Sequence, residues 1–231
     1  ARPRSPRPGP AQSASKPEGN GGTTAFTFTV SLDQAAVTDQ TVVWAVAGAG
    51  THAADGADFD GALPGGILTF GAGETSKIVS VLVSGDAIVE FDEGFSVTLS
   101  NVSPGLALGT EVAFGTIAND DKSTVSIASA IASRPEGDSG TISYDIPIIL
   151  DQPAVTTQTV AWAVTGSGDH PADAADFNGS LPSGILTFAP GEISHIVTVT
   201  VSGDTAVEFD EGAVLTLSGP SADLALGTAT A

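Results

Sequence analysis

The chain has no cysteine and no methionine, and only 7 of its 231 residues are lysine or arginine. Without thiols there is no disulfide, cysteine nucleophile, iron–sulfur cluster or thiolate zinc site. Three histidines (His52, His170 and His195) supply little for an imidazole-rich metal centre. Two Trp, one Tyr and ten Phe give no aromatic-lined sugar cleft of the kind a glycosidase needs. No apolar run approaches the ~20 residues of a membrane-spanning helix, so this segment is not expected to insert directly into a membrane. No apolar leader opens the chain, and it starts at Ala1, so the expectation is a fragment or processed piece.

Acid is what the chain has in quantity. There are 27 Asp and Glu, for a formal net charge of −20. Four of the bases (Arg2, Arg4, Arg7 and Lys16) lie in the first sixteen residues, which hold no acid. From Pro17 onward only Lys77, Lys122 and Arg134 face all 27 acids, and 3 − 27 leaves −24. A body of this charge repels phosphate backbones, which argues against a nucleic-acid partner. It suits cations, unless the acidity serves only solubility. A hydrophobic share of 41% and a mean hydropathy of +0.22 are enough for a packed core.

Residues 1–16, rich in Pro, Arg and Ser, read as a disordered or extended lead-in. Residues 17–113 then recur as 135–231 at a constant offset, 135 − 17 = 118, without insertion. Counting aligned positions gives about 60% identity, a tandem duplication of one small domain. Within each copy the apolar period is two: Phe26, Phe28, Val30 and Leu32; Val42, Trp44 and Val46; Val79, Val81 and Val83; Phe95, Val97 and Leu99. Alternation of this kind makes half-buried strands, and Gly, Pro, Asn and Asp punctuate the runs. The expected fold is all-β, two tandem immunoglobulin-like antiparallel β-sandwiches. Domain 1 spans 17–121 and is expected to lack its first strand, since the Pro/Arg segment stands where Thr124–Ile127 stands in domain 2. Domain 2 spans 122–231 with its last strand truncated. Each truncation would expose a sheet edge.

The carboxylates avoid the strands and gather at turns: Glu18, Asp55, Asp58, Asp60, Asp86, Glu90, Asp92, Glu93, Asp120 and Asp121 in the first copy. Loops of a sandwich converge at its ends, and converging carboxylates without bases repel one another. A bound divalent cation is the simplest remedy. Ca²⁺ takes about six to eight oxygen ligands and needs neither His nor Cys, whereas Mg²⁺ prefers fewer carboxylates and retained water. Glu90 and Glu93, three apart in a turn bounded by Gly94, can address one cation while Phe91 packs inward.

The order Pro-Glu-Gly, Ala57-Asp58-Phe59, Gly66-Ile67-Leu68-Thr69-Phe70 with Gly73-Glu74, Gly85-Asp86, Glu90-Phe91-Asp92-Glu93-Gly94-Phe95 and Asn119-Asp120-Asp121 resembles the Calx-beta domain. The second copy repeats every element but the last Asp pair. The resemblance implies immunoglobulin-like sandwiches that bind calcium at one end, found in sodium–calcium exchangers, in integrin subunit beta-4 and in arrays in large bacterial extracellular proteins. Carried over by position, the implied calcium ligands are Glu18, Asp58, Asp86, Glu90, Glu93, Asp120 and Asp121 in domain 1. In domain 2 they are Glu136, Asp176, Asp204, Glu208 and Glu211. Asp92 and Asp210 are either ligands or caps of their turn, and Asp55 and Asp173 are turn formers.

The scarcity of Lys, with abundant Gly, Ala and Thr, resembles the bacterial extracellular branch. The function so implied is a non-enzymatic, calcium-binding structural or adhesive module at the cell surface or outside it. Its partners would be calcium ions, neighbouring repeats and cell-surface proteins. The alternatives are a calcium sensor on a membrane transporter of exchanger type and a non-catalytic module beside a hydrolase.

Other motifs carry less. Gly137-Asp138-Ser139-Gly140 resembles a serine-protease nucleophile segment, but the first copy has Gly19-Asn20-Gly21-Gly22 there, so a turn is expected. His52 and His170 read as exposed loop residues, and His195, replacing Lys77, as an outward strand position. Asp55–Gly61 mimics a helix–loop–helix calcium loop without its spacing or its helices. Asn101 and Asn178 fit the glycosylation pattern, which means little if the source is bacterial.

Overall fold

Each alternating run becomes a strand with one buried face. In β3 (Thr23–Leu32), Phe26, Phe28, Val30 and Leu32 are buried while Thr27 and Thr29 face water. Its antiparallel partner β6 (Ser76–Ser84) sets Val81 opposite Phe26 and Val79 opposite Phe28, so the register aligns two apolar faces. The computed structural model describes residues 6–8, 13–129 and 133–231, in two units, Ala1–Asp121 and Lys122–Ala231.

Unit 1 adds β1 (Pro6–Pro8), β2 (Ser13–Pro17), β4 (Gln40–Ala49), β5 (Gly65–Phe70), β7 (Glu93–Ser100) and β8 (Val112–Ala118). A three-stranded sheet, β1-β3-β6, faces a five-stranded sheet, β2-β8-β7-β4-β5. This is a β-sandwich, but two expectations need correction. Within the lead-in, Pro6–Pro8 and Ser13–Pro17 are strands, so unit 1 does have a first strand; residues 1–5 and 9–12 lie outside the described residues. The prolines of β1 fit because that strand is an edge, where missing N–H groups cost least. The pairing is also not wholly antiparallel, because β2 runs parallel to β8.

The core of unit 1 centres on Phe95 of β7. Phe26, Phe28 and Phe59 meet its ring nearly perpendicular, at centroid distances of 5.2, 6.0 and 5.6 Å. Each such contact adds ~0.5–1.5 kcal/mol beyond burial. Gly115 of β8 makes room: a Cβ there would sit 2.2 Å from Phe95 Cζ. Phe59 belongs to a short 3-10 turn, Ala57–Phe59, so its burial anchors Asp58 next to it.

Unit 2 contains β9 (Ser123–Ile127), β10 (Thr141–Leu150), β11 (Gln158–Ser167), β12 (Ser183–Phe188), β13 (Ser194–Ser202), β14 (Gly212–Ser218) and β15 (Leu224–Leu226). Its sheets are β13-β10-β9-β15, in which β15 is parallel to β9, and β12-β11-β14. Where unit 1 has β8, Ala229 and Ala231 hydrogen-bond to Leu217 and Leu215 of β14. Phe177 is buried like Phe59, but Tyr144, Ile146 and Ala213 stand where Phe26, Phe28 and Phe95 stand. The aromatic centre is therefore absent, and the core keeps Phe188, Leu215 and Leu217 at the positions of the buried Phe70, Val97 and Leu99. Among the described residues no helix is long and apolar enough to cross a membrane.

Candidate metal centre

Four segments bring carboxylates to one end of the first sandwich: the turn after β2, the 3-10 turn after β4, the β6–β7 loop, and residues 119–121 after β8. Glu18 is held by its backbone. Its N–H donates to the Ala118 carbonyl at 3.3 Å, and its own carbonyl accepts from Thr24 Oγ1 at 2.9 Å. The turn can press against the end of β6 only because Gly85 has no side chain; a Cβ there would lie 2.7 Å from the Glu18 carbonyl oxygen and 2.0 Å from that of Gly19.

Asp58 Oδ2 accepts the Asp55 N–H at 2.7 Å, and Asp55 Oδ1 accepts that of Ala57 at 2.7 Å, an interlocked pair of Asx contacts that shapes the 3-10 turn. Asp86 Oδ1 accepts the Ile88 N–H at 2.7 Å and starts the β6–β7 loop. Asp120 Oδ1 accepts from Gly19 N–H at 3.0 Å, and Asp121 Oδ1 from Asn20 Nδ2.

One carboxylate oxygen each from Glu18, Asp58 and Glu90 lie within 4.8 Å of one another, and so do oxygens of Glu18, Asp120 and Asp121. Glu18 is common to both triads. Oxygens on opposite sides of a cation with ~2.4 Å bonds are ~4.8 Å apart, so each triad is sized for one hard ion. Asp121 is buried, and its Oδ2 has no hydrogen-bond partner. A buried oxygen is normally paired, and an orphan on a residue of an acidic triad marks a place for a positive partner. Among the described residues the ion pairs, Lys77–Glu74 at 2.8 Å and His195–Glu192 at 3.0 Å, lie outside the cluster.

The electrostatics follow. Burial, reinforced by the charges of Glu90, Asp86, Asp121 and Asp58, pushes Glu18 up to about 7. Glu93 is also pushed up to about 7, by burial and then by the charge of Asp58 and a hydrogen bond to it. Burial, with neighbouring acids, raises Glu90 and Asp121 as well. Protons here do what a cation would do better. The donor set is all oxygen, without imidazole or thiolate, and it fits calcium rather than zinc.

Unit 2 repeats the arrangement more openly. Glu136, Asp176 and Glu208 place oxygens within 4.8 Å of one another, but Glu136 and Asp176 are half-buried where Glu18 and Asp58 are buried. Burial and the hydrogen bond and charge of Asp176 push Glu211 up to about 7, and burial raises Glu208, with Asp204 the largest of its charged neighbours. Asp204 Oδ1 accepts the Ala206 N–H at 2.6 Å, as Asp86 does for Ile88.

Several sequence expectations change at this end. Glu90 joins Glu18 and Asp58, while Glu93 belongs to neither triad and interacts chiefly with Asp58. Phe91 does not pack inward. It stacks on His52 at 4.0 Å, as Phe209 stacks on His170 at 4.1 Å, and Val89 takes the buried position. Asp55 and Asp173 form turns as expected, yet their charges also bear on Glu90, Glu93, Glu208 and Glu211. Asp92 caps no turn of its own, and its Oδ1 accepts the Asn119 N–H at 3.0 Å. Lys77 and His195 share the inward parity of their strands and bond Glu74 and Glu192 at the sheet end. The contributions of Asn20 and Asn119 were missed, because a neutral amide carries no ligand signal and its contacts are long-range.

A duplicated sandwich with an acid-lined, oxygen-only end in each copy defines a tandem pair of β-sandwich domains. The Calx-beta domain model matches residues 15–122 and again 118–231, and the chain belongs to that family. Among solved structures, CBD12 from CALX1.2 is 20% identical, covers 90% of this chain and 77% of that one, and has a TM-score of 0.43. The calcium binding domain CBD12 of CALX1.1 is 20% identical over 94% of this chain and 79% of that one, at a TM-score of 0.44. The apo-form Calx CBD1 domain is 25% identical over 52% of this chain and all of that one, at 0.44.

Proposed function

We propose that this tandem Calx-beta chain binds calcium at the acidic end of each sandwich and serves as a structural or adhesive module of an extracellular or cell-surface protein. The observation that carries the calcium reading is that Asp121, whose Oδ2 is buried without a hydrogen-bond partner, shares an oxygen triad with Glu18 and Asp120. Glu18, Asp58, Glu90, Asp120 and Asp121 would hold the ion or ions of unit 1, with Asp86 and Glu93 around them. Glu136, Asp176 and Glu208 would hold that of unit 2, with Asp204 and Glu211 around them. The ion supplies positive charge; the side chains neutralise, orient and exclude water. No catalytic step is assigned.

Asp120 and Asp121 directly precede Lys122, the first residue of unit 2, so an ion held there stiffens the connection between the repeats. A mechanical role outside cells suits weak sites filled by abundant calcium. A second reading, the calcium sensor of a membrane transporter, is favoured by the inequality of the two clusters, since a tight and a weak site together respond over a wider calcium range.

Thermal melting in excess chelator and in saturating calcium tests the site. A ligand at 100 times its Kd adds ~2.7 kcal/mol per site, so the transition should move up. Identical melting curves would remove the site. Small-angle scattering of the same samples tests the linker, where calcium should narrow the distribution of inter-unit distances.

A further inference from the structure

From its hydrogen bonds we infer that Asn119 is the positioning residue of the unit 1 site, a latch that fastens the β6–β7 loop to the Asp120-Asp121 segment before any cation arrives. The inference rests on the calcium reading only for its effect on affinity.

Asn119 bonds in three directions. Its Oδ1 accepts the Glu90 N–H at 3.2 Å, its N–H donates to Asp92 Oδ1 at 3.0 Å, and its Nδ2 donates to the Asp121 carbonyl at 3.2 Å. One half-buried neutral side chain thus joins the loop bearing Asp86, Glu90 and Glu93 to the segment bearing Asp120 and Asp121. Without such a tie, repulsion among these carboxylates would spread the two segments apart.

The second repeat shows which contacts of the loop are local. Val-Glu-Phe-Asp-Glu-Gly is identical in both loops, and most of the local scaffold is kept. The His–Phe stack is present at 4.0 and 4.1 Å, the loop-opening Asp contact at 2.7 and 2.6 Å, and the bond from Gly94 N–H to the His52 carbonyl recurs from Gly212 to His170. Yet Val89 is 9% exposed where Val207 is 102% exposed, and Phe91 is 41% exposed where Phe209 is 72%. The local contacts therefore do not seat the loop. In unit 1 the chain that follows β8 bonds the β6–β7 loop itself, through the contacts of Asn119 with Glu90 and Asp92.

The test uses the full chain as wild type, Asn119→Ala, Asn119→Asp and Asp92→Ala. Amide hydrogen exchange is read in chelator, and calcium affinity by calorimetry. Asn119→Ala should speed exchange of the Glu90 amide and weaken unit 1 calcium binding about tenfold or more, the usual scale for losing a group that orients a metal ligand. Unit 2 affinity should not move. Asn119→Asp keeps an acceptor for Glu90 N–H, so it should restore that amide's protection. Asp92→Ala leaves Asn119 in place but cuts the second tie, and it should loosen the loop without removing a triad ligand. Wild-type exchange at Glu90 in Asn119→Ala would overturn the latch, as would faster exchange with unchanged affinity in a calcium-binding wild type. If the wild type binds no calcium while Asn119→Ala still frees the Glu90 amide, the latch stands and the calcium reading falls.

Discussion

The two repeats carry the same acidic loop sequence on different foundations. In unit 1, Phe95 gathers three aromatic rings beneath the loop and Asn119 ties it down from above. In unit 2, Ala213 replaces Phe95, and Glu136 and Asp176 are half-buried where their counterparts are buried. A metal site is thus more than its ligand list. The shared carboxylates keep the same local turns, yet Glu18 and Asp58 are buried in one repeat while Glu136 and Asp176 are half-buried in the other.

The largest expected effect breaks the foundation of unit 1. Phe95→Ala makes that position match Ala213 and removes the ring on which Phe26, Phe28 and Phe59 converge, so unit 1 should lose ~3–5 kcal/mol. Denaturant unfolding should then show the first repeat melting before the second. A loss under ~1 kcal/mol would mean that the site collapses onto the gap and that the aromatic centre is not what separates the repeats.

A smaller effect comes from pH. In chelator, Glu18, Glu93 and Glu211 keep their protons to about 7, whereas in the unfolded chain they release them near 4.5. Between those values the folded protein holds more protons than the unfolded one, so stability falls as pH rises from about 4.5 to 7. Below that window the protonated acids cost nothing, and above it the penalty is complete. Unit 1, with two such groups against one, should show the larger drop in urea midpoint, and saturating calcium should abolish it. Stability that rises across this window in chelator would contradict the self-repelling cluster.

The smallest effect sharpens the comparison by subtraction. Asp60, exposed at φ 60°, aligns with Asn178 at φ 58°, and either residue suits that left-handed turn. Asp60→Asn removes one negative charge near the 3-10 turn without touching a triad. Calcium affinity should stay within about twofold, since a charge screened by solvent contributes little. A loss matching that of Glu18→Gln would mean that the acidity acts as a diffuse field.

Much of this was legible in the residues. Period two in Phe26–Leu32 and Val79–Val83 specified strands and their buried faces, and the offset of the repeats defined two similar units. Acids concentrated at turns pointed to the end of the sandwich where the triads form. The departures share one cause. Pro6–Pro8 looks unfit for a sheet, yet it pairs because an edge strand tolerates missing donors. Phe91 looked like a core residue, but its neighbour Val89 took that place once His52 offered a stacking surface. Asn119 carries no charge and acts through partners as far as 29 residues away, so no local pattern could reveal it.

Calcium titration of the intact chain by calorimetry, as wild type, Glu18→Gln and Glu136→Gln, tests the central claim most directly. The account predicts two classes of site in the wild type, with Glu18→Gln abolishing the tighter and Glu136→Gln the weaker. Absence of calcium binding in the wild type would contradict it, and so would loss of the tighter class in Glu136→Gln.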